Sequence, residues 1–397
     1  MTAADTKTRL RAGTDAPAIL QSVEKIASGW AAQLDERQRR TSLDAADFLQ
    51  LREAGVHLIG LPVELGGIWQ GARRSTRAIC EVLRTLAQGD PSVALVCVMH
   101  AAVLMPFLQT REAPEPYREA WEQQRQWAFK TVLDGAWWGT LNSEPGKAND
   151  RVPTEGRAVA TGDGTYRLTG KKHFGSGSGI TSFMRTAAIP EGESESDSFT
   201  LDVRGVPWDG SAGMRLTAEW DAHGMRATQS HAFEFSDFPA IRDACPRSHL
   251  AEGGAFFAVA CAAVVVGVVE TAIERARLEI GRRGPALVDY ERVEWSTAEV
   301  EYWLIEQAYD GLVRAIEDPS RNRGPDVLRG KTGIANLAES ALQRICRVIG
   351  ARSYSRTSPY GFWYEDVRAL GFLRPSWRVA YLDLFELGLR ELRPSGA

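Results

Sequence analysis

The stretch AFFAVACAAVVVGVV, from Ala255 to Val269, holds no charged side chain and is followed by Glu270 and Glu274. A helix that is apolar on every face must be enclosed by other elements. The run is short for a comfortable bilayer crossing, so it is expected as the buried centre of a helical bundle. Two further helical patterns follow it. The first, VEWSTAEVEYWLIEQAYDGLVRAIED, puts Val300, Leu304, Ala308 and Leu312 on one stripe, and the second, LRGKTGIANLAESALQRICRVIGA, stops at Gly350. Long helices with short connections predict a bundle over 248–397.

The N-terminal part, 1–126, also reads as helical. Leu43, Phe48, Leu51 and Val56 recur at helical spacing, Gly55 ends that unit, LPVELGG forms a turn, and Asp90-Pro91 starts an apolar helix. Between them, 127–247 changes character. The short segments RAVATG, TYRLTGKKHF, MRTAAIP, FTLDVR and HAFEFSDF, separated by Gly, Asp, Ser and Pro, read as antiparallel strands of a compact β domain. Within it, PEGESESDS (Pro190–Ser198) reads as an exposed acidic loop.

Bulk properties remove several classes of function. A formal net charge of −4 on 397 residues offers no basic footprint for nucleic acid, and Arg321–Arg323 reads as a solvated loop. The five cysteines are scattered without paired spacing, and the six histidines include no close pair, so neither a disulfide framework nor a metal site is expected. No secretory signal opens the chain, and a soluble, cytoplasmic protein with no membrane segment is expected. The GSGSG pattern at Gly175–Gly179 superficially resembles a hydrolase elbow, but it lies in a β region instead of a strand-turn-helix unit.

Four motifs in a fixed order carry a family resemblance: TLNSEPGKAND from Thr140, LTGKKHFGSGSG from Leu168, HGMRATQSHAFEFSDFP from His223, and GARSYSRTSPYGFWYEDVRA from Gly350. Over about residues 20–390 the chain resembles the acyl-CoA dehydrogenase superfamily. The resemblance implies an α+β flavoprotein fold: an N-terminal helical domain (1–126), a central antiparallel β-barrel (127–247) and a C-terminal four-helix bundle (248–397). It puts Thr140, Asn142, Ser143, Phe174 and Ser176 at flavin-contact positions. Phe174 would supply an apolar wall and the others polar edge contacts. Arg226 and Ser230 would touch the flavin or brace the barrel.

The dehydrogenases of this family use a buried glutamate as base. An ungapped count places Arg374 at one such position and Phe257 at the other; the nearest carboxylates are Asp366 and Glu252. The segments that hold the adenine half of FAD are altered as well, with Arg347 in place of a glutamine and Ala351 in place of a glycine. This favours FMN while leaving FAD open. Gly350-Ala351-Arg352-Ser353, with Pro375 shortly after Asp366-Val367-Arg368, resembles the two-component flavin monooxygenases of the same fold, such as dibenzothiophene monooxygenase and amino-sugar N-oxygenases.

That branch implies reduced flavin from a separate reductase, oxygen bound at the flavin C4a as a peroxide, a small-molecule substrate, and a homodimer or homotetramer. His100, Asn142 and Ser176 would be the catalytic groups. Histidine can donate to the peroxide or take a substrate proton, although a framework role is the alternative. Trp137, Trp138, Phe174, Phe362, Trp363 and Tyr364 would line an aromatic pocket or fill the core. The branch often carries a second histidine, and this chain has Leu370, Phe372 and Leu373 in that segment. An acyl-CoA dehydrogenase with a different base, or a non-catalytic member of the fold, stays open as an alternative.

Overall fold

A computed structural model describes residues 15–146, 153–162, 164–251, 253–321 and 323–392. Its helices here are α1 (Ala16–Ala31), α2 (Ala45–Glu53), α3 (Ala72–Gly89), α4 (Pro91–Val103), α5 (Arg118–Leu133), α6 (Gly254–Arg283), α7 (Asp289–Glu317), α8 (Arg323–Ile349), α9 (Pro359–Phe372) and α10 (Trp377–Leu392). Between α5 and α6 come β1 (Trp138–Thr140), β2 (Arg157–Ala160), β3 (Thr165–Gly175), β4 (Phe183–Pro190), β5 (Asp197–Asp202), β6 (Met214–Ala218) and β7 (His231–Arg242).

Local chemistry sets the helix starts. Asp15, Asp44 and Asp90 each accept a backbone N–H of the first turn, from Ala18 at 2.8 Å, Ala46 at 2.9 Å and Val93 at 3.0 Å. Gly55 follows α2 in the left-handed region (φ 81°), which a side chain adopts only with strain. Asp90 also reaches beyond its own helix. Its other oxygen accepts from Arg37 Nε at 2.9 Å, while Arg37 also grips Asp47 at 2.6 Å and lies over the Trp30 ring. One buried guanidinium thus ties α1, α2 and α4 together.

The apolar helix α6 lies at the centre, packed against α3, α4, α7, α8 and α9. By length and composition it could cross a bilayer, but 83% of its most apolar window is buried inside the fold. Its crossing with α3 is close enough that a Cβ on Gly267 would meet the Arg84 carbonyl oxygen at 2.2 Å. Because α6 is shared, the N-terminal helices and the C-terminal bundle form one continuous apolar core. Helix α5 runs through residues 126 and 127, so the expected change of character there falls inside a helix.

The stripe on α7 matches the expectation at Leu312, which is buried, and differs from it in the first half of the helix. Val300 is 56% exposed and Leu304 39%, while Ala298, Glu301, Ile305 and Tyr309 face inward. The reason is electrostatic: Arg344 and Arg347 of α8 pull Glu294 and Glu301 into the helix interface at 3.1–3.3 Å. Apolar spacing alone cannot reveal that charges occupy the inner face.

The strands close into a small barrel through the ring β4–β2–β3–β7–β5–β4, with β1 beside β4 and β6 beside β7. It is mixed, where an antiparallel barrel was expected, because β1 and β2 both run parallel to β4. Both short strands reach β4 through long connections that return the chain in the same direction. The barrel has its own core around Leu141, Leu168, Met184, Phe199, Phe233, Phe235 and Phe238.

Candidate active site

The two loops marked by the sequence meet at one end of the barrel. The segment after β1 carries Thr140, Asn142 and Ser143, and the His173 N–H donates to the Ser143 carbonyl at 2.7 Å, holding it against the end of β3. Asn142 Nδ2 donates to Thr140 Oγ1 at 2.9 Å. Next to His173, Phe174 adopts φ 59° at a bulge near the end of β3 and is 55% exposed, with edge contacts to His173 and Trp220. A phenylalanine in the left-handed region is strained, and such strain collects at ligand sites. The chain then folds back, with Ser176 N–H donating to Phe174 O at 2.9 Å and Gly177 N–H to Thr228 O at 2.8 Å. Gly177 needs its lack of side chain, since φ is 87° and a Cβ would touch Val96 and Thr181 at 3.0 Å.

Beneath these loops lies a buried charge cluster that sequence reading did not mark. Lys172 Nζ, wholly enclosed, donates to Glu144 Oε1 at 2.6 Å, Thr154 Oγ1 at 3.1 Å and Ala187 O at 2.7 Å. Glu144 also accepts the backbone N–H groups of Glu155 at 2.8 Å and Gly156 at 3.2 Å. The signal was present: on β3, Lys172 stands an even number of residues from the inward Leu168. The rest of the Thr140 motif, Lys147 to Asp150, lies outside the described residues, as does Glu252.

His100 sits one layer behind. Its Nδ1 accepts the Trp138 N–H at 2.9 Å and its Nε2 donates to the His57 carbonyl at 2.8 Å, with the Trp137 ring alongside. Both ring nitrogens are therefore engaged inside the protein, and burial lowers its pKa to about 4. It holds the start of β1, two residues before Thr140.

Arg226 faces elsewhere. It lies over the Phe362 ring and lines a cleft with Arg37, Asp90, Trp363 and Asp366. In that cleft Asp366 accepts the Met225 N–H at 2.6 Å, and burial raises its pKa to about 7. Ser230, by contrast, joins the loops: its Oγ lies 2.8 Å from Ser176 Oγ and 2.8 Å from Thr228 Oγ1.

Arg374, at the first position the ungapped count gives for a base, approaches Ser143 Oγ at 3.4 Å. It is presented by a turn that α8 anchors, where buried Lys331 donates to Leu373 O at 2.8 Å and Pro375 O at 2.6 Å. Phe257, at the second position, packs against the helical core. Among the described residues, neither counted position holds a carboxylate. The aromatic candidates divide: Trp137, Trp138 and Trp363 are core, Tyr364 is partly buried against it, and Phe174 projects from the surface.

No protein-family model matches the chain. It is 26% identical over 399 residues to the amino sugar nitrososynthase DnmZ of Streptomyces peucetius, covering 93% of each chain. It is 24% identical over 371 residues to the putative acyl-CoA dehydrogenase YdbM of Bacillus subtilis, covering 88% of this chain and 91% of that one. With a dibenzothiophene monooxygenase of Rhodococcus erythropolis it shares 26% over 339 residues, covering 81% and 72%. Among solved structures, KijD3 in complex with FMN and a dTDP-linked amino sugar superposes with a TM-score of 0.77 at 19% identity, covering 98% and 97%. FMN-bound TdsC from Paenibacillus sp. A11-2 gives 0.75 at 18%, covering 96% and 99%. In fold and in sequence the chain is thus similar to acyl-CoA dehydrogenase-like flavoenzymes.

Proposed function

We propose that this protein is a flavin-dependent oxidoreductase, a monooxygenase that uses reduced FMN to oxygenate a small substrate. The observation that carries the reading is the pairing of a flavin-type seat with a missing base. Phe174 offers an uncovered planar wall, Thr140, Asn142, Ser143 and Ser176 surround it with polar groups, and a guanidinium stands where a proton-abstracting carboxylate would be. These residues suit a planar heterocycle with a polar edge. The relatives DnmZ, KijD3, TdsC and dibenzothiophene monooxygenase support the same choice, two of them with FMN bound.

A bound reduced flavin supplies the electrons with which one atom of dioxygen enters the substrate and the other leaves as water. The chain's own groups bind and orient. Phe174 would wall one face of the ring, the linked pair Asn142 and Thr140 would meet its edge, and Arg374 puts positive charge beside Ser143. The Lys172–Glu144 pair fixes the loop from below. His100, neutral above pH 4, positions β1 instead of exchanging protons. The reduced flavin would come from a separate reductase, and the protein would work in the cytoplasm.

Exposed Val293, Val300 and Trp303 on α7, with Leu382 and Phe385 on α10, support a homodimer or homotetramer. A monomeric mass by light scattering at micromolar concentration would contradict that.

The test is anaerobic titration with reduced FMN, then ¹⁸O₂ with aromatic thioethers and amines as substrates, and mass spectrometry of the product. Tight binding and one labelled oxygen per product are expected. Bleaching of the flavin-loaded oxidised protein by an acyl-CoA without oxygen would instead establish the dehydrogenase. Failure to retain either flavin would indicate a non-catalytic member.

A further inference from the structure

A basic cleft opens away from the two site loops, where α3 and α8 begin. Its volume is about 520 Å³. Arg73 and Arg74 of α3, Arg111, and Arg323 at the start of α8 line it, with buried Trp69 and Leu108 beneath. The described residues that line it include no aspartate or glutamate. Among the described residues, none of the four guanidiniums forms an ion pair. Asp318 feels Arg73 only at a distance, its carboxylate being held by Ser320 Oγ at 2.7 Å and the Ser320 N–H at 2.9 Å. Further along α3 the pattern is the opposite. Arg77 engages Asp310 at 3.1 Å and Glu317 at 2.8 Å, and Arg84 engages Glu270 at 2.8 Å and Glu306 at 2.7 Å. The helix neutralises its inner arginines and leaves its first two facing a cleft without a carboxylate, in a protein whose net charge is −4.

The backbone adds donors of its own. Gly71, the residue before α3, has φ 116° and no side chain with which to cap the helix. Ser75, the first hydroxyl of the helix, is occupied: it accepts the Gln70 N–H at 2.7 Å and donates to Ile68 O at 3.0 Å. The first N–H groups of this 18-residue helix therefore stay open at the cleft, at the positive end of its dipole. Four guanidiniums around one cleft repel one another until an anion enters. The guanidinium fork matches phosphate oxygens in pairs, and four forks exceed the need of one phosphate and suit two linked ones. We propose that this cleft is a binding site for a diphosphate group. It shares no lining residue with Thr140–Ser143 or Phe174–Gly177 and stands whether or not a flavin binds there.

The experiment is calorimetric titration of the whole protein with inorganic pyrophosphate, ADP and sulfate, in about 0.15 M salt so that distant surface charges are screened. One pyrophosphate per chain is expected, bound at least about tenfold more tightly than sulfate. Arg73→Gln, Arg74→Gln, Arg111→Gln and Arg323→Gln should each weaken it about tenfold, as the loss of a charge-assisted hydrogen bond requires. All four side chains are exposed, so these variants should melt as the wild type does. Arg167→Gln, exposed on β3, makes the same change of charge outside the cleft and should leave the affinity unchanged. ADP bound no more tightly than pyrophosphate places recognition in the phosphates alone, whereas ADP bound more than about tenfold tighter makes the ligand a nucleotide. Absence of saturable pyrophosphate binding overturns the proposal. Equal affinity for sulfate, or an equal loss in Arg167→Gln, overturns it as well, because general attraction of anions would then account for the binding.

Discussion

Asp366 offers a sharp test of the electrostatics around the Met225 turn. Its carboxyl is buried on α9 and accepts one backbone N–H, from Met225 at 2.6 Å. Desolvation raises its pKa from 3.8 to about 7, opposed by the Met225 N–H and Arg226 and reinforced by Asp90 and Glu365. A carboxyl whose pKa is higher in the folded state contributes stability that is complete below the unfolded pKa and disappears as pH rises through the folded one. The loss relative to a non-ionising group is about 2 kcal/mol at pH 5 and about 4 kcal/mol at pH 8 by proton linkage. Asparagine keeps an oxygen for the Met225 N–H and cannot ionise. With unfolding entropy of about 2 cal/mol/K per residue, 397 residues shift their Tm by roughly 1 °C per kcal/mol. Asp366→Asn should therefore gain on the wild type by about 3 °C between pH 5 and pH 8, measured by thermal melts of both proteins at each pH. An identical Tm difference at the two pH values would refute the argument, and would mean that Arg226 keeps the carboxylate charged inside the fold.

Three further outcomes follow from the site. Phe174→Ala removes a ring that is more than half exposed, so Tm should move by less than about 1 °C while FMN affinity falls about tenfold in a fluorescence titration. Lys172→Met removes the cation that neutralises the buried Glu144 carboxylate and should cost about 3–5 kcal/mol in denaturant unfolding, with part regained by adding Glu144→Gln. His100 is held neutral, its pKa depressed from 6.5 to about 4, so it contributes stability that is present above pH 6.5 and lost as pH falls toward 4. His100→Gln should lower stability at pH 8 but flatten this acid limb, by about 2 kcal/mol between pH 8 and pH 5 in urea titrations.

What the sequence made legible was whatever depends on spacing along one element. The apolar run fixed α6 as a buried centre, and the Gly-Ser pattern placed the loop that Gly177 requires. The strands β1 and β6 were missed because three and five residues carry too little alternation to stand out. The α7 stripe was misread because two glutamates owe their burial to arginines on another helix. At the site, motif order is what brings Thr140, Asn142, Ser143, Phe174 and Ser176 together as candidate flavin contacts. The Lys172–Glu144 pair and the Ser176–Ser230–Thr228 chain were not, since each joins residues distant in sequence. Arg226 matched a motif whose position in three dimensions only the packing of α9 reveals.

The chain at and just after β1 has a place in two interiors at once. Trp138 belongs to the core built around α6, and Leu141, three residues later, belongs to the core of the barrel. The segment from Thr140 to Ser143 thus emerges at the seam between two separately packed bodies, like a lever pinned at both ends. Changes confined to one core should add to changes in the other when stability is measured. They should not add when the geometry of the seam is measured, because either body moves the same few residues. Substitutions far from the loops, in α3 or in β7, can therefore retune the pocket without touching it.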